Sequence, residues 1–283
     1  MQTDFDLLSL VLTLTPVEGP PKRELPAWWG RAAHAWLLEV VESGAGTLPP
    51  AWHETETGPR PFTASTLMGY SARRGVEAGR TYSLRLTAYH RQAAEPLLAA
   101  TEPGGKLAPD AVVELDGLPF RVGTVDTGGD AAAPWAGRGT YAGVSAPFLL
   151  ASRALPRQVR MQFSSPTTFK SGGMNVPIPL PGLVFGSLLD RWNAYAHIAF
   201  PAEVKRYAEE CLAMSRLELA SRGVPGKGGS MRVGSVGEMQ YTTLNEDRYW
   251  MSVIHTLAAF ARYAGVGAGT SYGMGQCRTL IIE

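Results

Sequence analysis

Five histidines stand along the chain, at positions 34, 53, 90, 197 and 255. Imidazole, with an ordinary pKa of about 6.5, is the side chain best matched to moving protons near neutral pH. His34 follows Arg31 by three residues in a stretch with helical spacing, so the two project from neighbouring positions on one helical face. An imidazole beside a fixed cation can act as general acid or base on a charged substrate, so His34 is one candidate. The competing reading is an ordinary partly buried histidine packed between tryptophan residues. His53, in a proline-containing connection with Glu54 beside it, is the reserve. His197 and His255 read as helix-capping or packing residues, and His90 as an exposed strand end. Lys22, Arg31 and Arg60 are candidates for the fixed positive charge that stabilises a developing anion, unless they are simply solvated surface charges. Tyr70, Tyr272 and Trp28 could stack or donate, although aromatic residues more often belong to cores.

A second chemistry-bearing stretch lies near the other end of the chain, from Ala264 to Gly275 (AGVGAGTSYGMG). Glycines 265, 267, 269, 273 and 275 permit positive φ and carry no Cβ, so successive N–H groups can converge on a phosphate, with Thr270 and Ser271 beside them. A dinucleotide loop of similar spacing needs a strand before it and a helix after it, and here the order is reversed. The competing reading is a tight helix-to-strand turn that requires glycine for its own geometry. Nothing resembles a two-metal carboxylate cluster. Cys211 and Cys277 form no CxxC or Cys/His pattern, so neither a zinc site nor a disulfide framework is predicted, and no cofactor is expected.

The elements that must carry these residues follow from hydrophobic period. Phe5 to Thr15 reads as a strand, and Pro26 to Val41 as a helix stopped by Ser43-Gly44, with Trp29, Ala33, Trp36, Leu37 and Val40 at helical spacing. Phe62 to Tyr70 and Thr81 to Tyr89 read as strands, residues 93–100 as a short helix, and Ala111 to Val125 as strand material around an Asp116-Gly117 turn. This β-α-β-β-α-β order is the ferredoxin-like (RRM-like) unit. Residues 127–155 are rich in Gly, Ala and Pro and read as a linker. A second unit follows: a strand from Arg157 to Phe163, a helix from Pro181 to Ala196, a strand or hairpin from Gly234 to Thr243, a helix from Tyr249 to Ala264, and a last strand from Thr279 to Ile282. Residues 201–232 give no clear pattern, and the stretch from Arg222 through Gly237 reads as a mobile hairpin bearing Arg222, Lys227 and Arg232. The expectation is an α+β protein of two tandem ferredoxin-like domains, 1–126 and 156–283, joined by 127–155.

With 283 residues, 45% of them hydrophobic and 18% charged, the chain can bury a core in each of two domains. The net charge of +1 gives no overall basic signature. Its distribution is uneven. No acidic residue separates Asp130 from Asp190, a span holding Arg138, Arg153, Arg157, Arg160 and Lys170; Glu218 to Glu238 and Asp247 to Glu283 are likewise free of acid between their ends. Such segments let a polyanion approach without local repulsion, or are loops poor in charge of either sign. No uninterrupted apolar run reaches membrane-spanning length, and Asp4 and Asp6 stand where a signal peptide would carry Lys or Arg, so a cytoplasmic location is expected and no membrane partner.

The C-terminal run from Phe260 to Gly275 resembles the glycine-rich signature of the CRISPR-associated repeat-RNA processing endoribonucleases, within the RAMP superfamily. Further segments resemble the same family in the same order: Leu25-Pro26 through Gly30-Arg31 and His34, Arg60 to Ser65, Pro134-Trp135-Ala136, Ser165 to Phe169, and Pro179 to Asn193. The resemblance implies metal-independent cleavage of repeat transcripts by 2′-hydroxyl attack, with a 2′,3′-cyclic phosphate and a 5′-hydroxyl as product ends. It implies CRISPR repeat RNA and mature crRNA as partners, with effector-complex subunits and a second copy of the chain as further candidates. Catalytic candidates are then His34, Arg31 and His53; RNA-contacting candidates are Arg60, Lys170, Lys227, Arg232, Gly265, Gly267, Gly269, Thr270, Ser271, Tyr272, Gly273 and Gly275. One departure concerns Ala268 and Gly269, which stand where many relatives have Lys or Arg. The alternative implied by the same resemblance is a catalytically silent RNA-binding subunit of an effector complex.

Overall fold

The computed structural model describes residues 4–19, 24–46, 48–49, 52, 58–128, 134–226 and 229–280. They divide into two compact units, Met1–Arg138 with Ser271–Gly273, and Gly139–Thr270 with Met274–Glu283.

The first unit runs β1 (Leu7–Pro16), α1 (Gly30–Ala45), β2 (Phe62–Ala64), β3 (Tyr82–Ala88), α2 (Arg91–Ala99), β4 (Val112–Leu115) and β5 (Leu118–Asp126). Its sheet has the order β2-β3-β1-β5-β4, with the short β6 (Gly137–Gly139) also paired to β1. β1 is antiparallel to both β3 and β5, which puts the first and third strands at the centre as in a ferredoxin-like unit. Period-two alternation sets the faces: Leu8, Leu10, Leu12 and Leu14 are fully buried and lie opposite Ala88, Leu86, Leu84 and Tyr82. Against that face α1 lays Trp29, Ala33, Trp36, Leu37 and Val40. Each of these buried leucines contributes about 1.5–3 kcal/mol.

Boundaries differ from the sequence reading in three places. Helix α1 begins at Gly30, not Pro26, and passes through Ser43-Gly44, where the Ser43 hydroxyl donates back to the Glu39 carbonyl at 2.6 Å. The strand expected over 62–70 shortens to Phe62–Ala64, and Met68 rejoins only by an isolated bridge to Ser83. Asp116 and Gly117, at φ 48° and 68°, form the predicted two-residue turn between β4 and β5.

The second unit opens with α3 (Tyr141–Leu149), then β7 (Gln158–Thr167), a hairpin of β8 (Phe169–Ser171) and β9 (Met174–Val176), α4 (Pro181–Tyr195), α5 (Glu203–Cys211), β10 (Leu212–Pro225), β11 (Met231–Thr243), α6 (Arg248–Ala264) and β12 (Cys277–Leu280). Its sheet order, β10-β11-β7-β12, repeats the ferredoxin-like permutation. Val159, Met161 and Phe163 of β7 share its core with Val184, Phe185 and Leu188 of α4 and with Ile254 and Leu257 of α6. Trp192 meets Phe260 edge-on at 5.3 Å and Tyr141 at 5.0 Å, which docks α3 onto the helical layer.

Helix α3 lies inside 127–155, where no element was expected, because its residues (YAGVSAPFL) lack a polar face and therefore show no period. Its start is fixed by Thr140, whose Oγ1 accepts the Gly143 N–H at 2.9 Å. Residues 201–232 contain α5 and the whole of β10, a strand exposed along nearly all its length and so without alternation. Its partner defines it instead: β10 pairs with β11 from Leu212↔Thr243 to Pro225↔Met231, which also places Arg222 and Arg232 in ladder positions, not in a loop.

His255 gives this unit a pH dependence. Its ring stacks on Phe148 at 5.5 Å, and its Nε2, 2.8 Å from the Pro156 carbonyl, must carry the proton there because a carbonyl only accepts. Burial lowers its pKa below the ordinary value, with the Pro156 bond opposing. The unfolded chain therefore takes up the proton first, so stability is full above about pH 6.5 and falls as the pH drops from there to the depressed folded value. His255→Gln should flatten that part of a plot of unfolding midpoint against pH; an unchanged slope would assign the loss to other groups.

Candidate active site

His34 lies one turn into α1 and is 8% exposed. Its Nε2 is 3.4 Å from Nη1 of Arg60, which stands just before β2. The same Nη1 donates to the Tyr272 hydroxyl at 2.9 Å and to Ser271 Oγ at 3.2 Å. The Tyr272 ring meets the imidazole edge-on at 4.5 Å and lies 5.4 Å below the guanidinium carbon, with Phe62 6.0 Å from the imidazole. The Arg60 backbone is held by the Tyr89 hydroxyl, which donates to its carbonyl. All of these residues belong to the first unit, including the short C-terminal piece Ser271–Gly273. A guanidinium offers only N–H donors, and Nη1 already directs its two hydrogens to Tyr272 and Ser271, so the 3.4 Å contact to Nε2 is a weak, shared one that an incoming hydroxyl can replace.

The guanidinium brought to His34 is thus Arg60's. Arg31 is exposed on α1. His53, Lys22 and Lys227 lie outside the described residues. His90 is half-buried at the start of α2, 5.9 Å from the Trp52 ring, and is not the exposed strand end expected. His197 is exposed beyond the end of α4. Lys170 is exposed on the β8–β9 hairpin.

Gly265, Gly267, Gly269, Gly273 and Gly275 all have positive φ, from 62° to 92°. Much of the backbone between them is committed within the fold: the N–H groups of Gly265, Val266, Gly267, Ala268, Met274 and Gly275 donate to Ala261 O, Gly275 O, Ser187 Oγ, Thr168 O, Gly269 O and Pro166 O. The Thr270 methyl fills the space that Gly265 and Gly275 leave open. For these positions the tight-turn reading describes the geometry better than an array of N–H groups aimed outward. Arg191 of α4 reinforces the turn, donating to the Gly267 carbonyl at 2.6 Å. Arg232 reaches the loop from β11: its Nη1 lies 3.2 Å from where a Cβ on Gly269 would stand, and 4.0 Å from Met274 Sδ. A cation therefore borders the loop although Ala268 and Gly269 supply none. Among the described residues no three of His, Cys, Asp or Glu group as metal ligands, and no helix is long and apolar enough to cross a membrane.

The family described as CRISPR-associated endoribonuclease Cas6 matches residues 161–277, a span from within β7 to the start of β12. Among solved structures, a Cas6 product complex shares 27% identity over 97% of this chain and 100% of that chain, with a TM-score of 0.77. A second Cas6 product complex shares 25% identity over 97% and 99% of the two chains, with a TM-score of 0.73. Over residues 161–277 the chain is similar to the Cas6 family, and its fold is similar to that of solved Cas6 structures. The curated endoribonuclease Cas6 of Mycobacterium tuberculosis (strain CDC 1551) is 32% identical over 130 residues, 45% of this chain and 40% of the relative's length. The family match leaves His34 and Arg60 outside its bounds, so the case for them rests on the geometry above.

Arg60 was legible as a cation but not as the partner of His34, since nothing in their spacing joins them. Tyr89 was missed altogether, being an ordinary aromatic strand end until its hydroxyl is seen on Arg60. Gly30 carried a signal that could have been used: glycine at a helix start followed by His34 four residues later marks a helical face on which another backbone approaches closely.

Proposed function

We propose that this chain is an endoribonuclease that cuts CRISPR repeat transcripts without a metal ion, producing mature crRNA in the cytoplasm. The observation that carries the reading is the seating of one buried imidazole against a guanidinium that also binds a tyrosine and a serine hydroxyl. With Nε2 held by the weak 3.4 Å contact to Arg60, which an incoming hydroxyl replaces, neutral His34 takes the proton of a ribose 2′-hydroxyl. The 2′-oxygen then attacks the adjoining phosphorus, the bond from phosphorus to the 5′-oxygen breaks, and that oxygen takes up a proton, leaving a 2′,3′-cyclic phosphate and a 5′-hydroxyl. Arg60 supplies fixed charge to the phosphorane, and Tyr272 and Ser271 hold the guanidinium in place. Solved Cas6 product complexes of similar fold support the substrate class. The test is incubation with end-labelled repeat RNA in EDTA, followed by typing of the ends. Cyclic phosphate and 5′-hydroxyl ends are expected; 5′-phosphate ends would exclude this chemistry.

The low exposure of His34 also suits the second reading, a catalytically silent RNA-binding subunit that retains crRNA in an effector complex. Under either reading Arg232 neutralises a phosphate at the glycine loop. Arg232→Ala should weaken binding and lower the slope of log K against log salt by about 0.7 for single-stranded RNA, with the cleavage rate at saturating RNA unchanged. An unaltered salt slope would remove Arg232 from the RNA path.

A further inference from the structure

Tyr272 can serve the site only if its backbone is fixed, and the first unit contains the device that fixes it. The Trp28 indole N–H donates to the Tyr272 carbonyl at 2.7 Å. A Cβ on Gly30 would lie 1.9 Å from that carbonyl oxygen and 2.7 Å from Trp28 Nε1. One on Gly273 would lie 2.9 Å from Trp28 Cζ2 and 3.0 Å from Nε1. Two glycines far apart in sequence thus clear one slot, and the indole edge occupies it. Neighbouring contacts close the slot: Gly273 bridges Ser65, and the Trp29 N–H donates to Thr66 Oγ1 at 3.2 Å. Gly30 and His34 are four residues apart on α1, so the face that receives the Tyr272 carbonyl is the face that carries the imidazole.

We propose that Trp28 is a positioning residue, whose indole N–H holds Tyr272 where its ring meets His34 and its hydroxyl receives Arg60. The proposal deepens the reading of the site as a nuclease, but its structural half stands apart from that reading. It also gives Gly273 a role distinct from phosphate contact: Gly273 makes room for the indole.

The test compares the wild type with Trp28→Phe and with 3-benzothienylalanine at position 28, which keeps the bicyclic shape and its stacking surface but has no N–H. Because the Tyr272 ring meets the imidazole edge-on at 4.5 Å, its ring current marks the His34 ring protons, and their NMR shifts report Tyr272's position without any RNA. Both variants should move those shifts. Both should lower single-turnover cleavage about ten- to a hundredfold, as expected when a reacting constellation is displaced by about an ångström, while RNA affinity and the shape of the pH profile hold. Wild-type shifts together with a wild-type rate in the benzothienyl variant would overturn the proposal. Loss of affinity in Trp28→Phe with full retention in the benzothienyl variant would also overturn it, in favour of base stacking. Should Trp28→Phe fail to fold, the benzothienyl variant decides alone. If the wild type cuts no repeat RNA, the nuclease reading fails and the His34 shifts still judge the clamp.

Discussion

Replacing His34 with alanine should lower cleavage of repeat RNA by on the order of 10²-fold or more, with little loss of affinity. The separation of rate from binding follows from burial: a side chain only 8% exposed presents almost no surface to a polyanion, so its contribution is confined to proton transfer. Single-turnover rates at saturating RNA, beside equilibrium binding of an uncleavable 2′-deoxy repeat, separate the two quantities. A thermal melt is needed alongside, since removing a buried ring opens a cavity beside Phe62 and Tyr272. A folded His34→Ala protein that cuts at the wild-type rate would move the role to His53, whereas a wild type that cuts no repeat RNA would favour the silent-subunit reading.

The second large effect is expected at Arg60. Arg60→Ala should reduce the cleavage rate at saturating RNA by about 10²–10³-fold, the usual consequence of deleting one donor from a site that stabilises a developing anion. Two losses combine here, because the guanidinium both faces the imidazole and anchors Ser271 and Tyr272 through the same nitrogen. Arg60→Lys restores a charge but not the planar fork, so its rate should lie between those of the alanine variant and the wild type. If lysine matches arginine, the positioning contribution is absent. If alanine matches the wild type, Arg60 has no part in the reaction.

The folds of both units were legible wherever one face of an element is buried and the other is wet. The leucines at 8, 10, 12 and 14 announce β1, and Trp29, Ala33, Trp36 and Val40 announce α1, because burial on one side imposes a period. That signal fails in α3, which is apolar around its circumference, and in β10, which is exposed on both faces and is defined by its ladder to β11. The site divides in the same way. His34 and Arg60 could be selected by side-chain chemistry, and the positive φ of the loop glycines by their spacing. Sequence could not show that Arg60 meets Tyr272 across 212 residues, because such contacts are set by how the chain returns to the first unit. Nor could it show that the loop's N–H groups are taken up by acceptors on Ser187, Thr168 and Pro166, which belong to other elements of the second unit.

The most direct measurement is cleavage of a repeat RNA carrying a single 2′-deoxy sugar at the scissile nucleotide, beside the all-ribose strand, both in excess EDTA. The ribose strand should be cut at its usual rate and the deoxy strand left whole at that position, because the nucleophile, and with it only the contact to His34, has been removed. A deoxy strand broken at the same bond, or a ribose strand protected by the chelator, would contradict attack by the substrate's own hydroxyl under the control of His34 and Arg60.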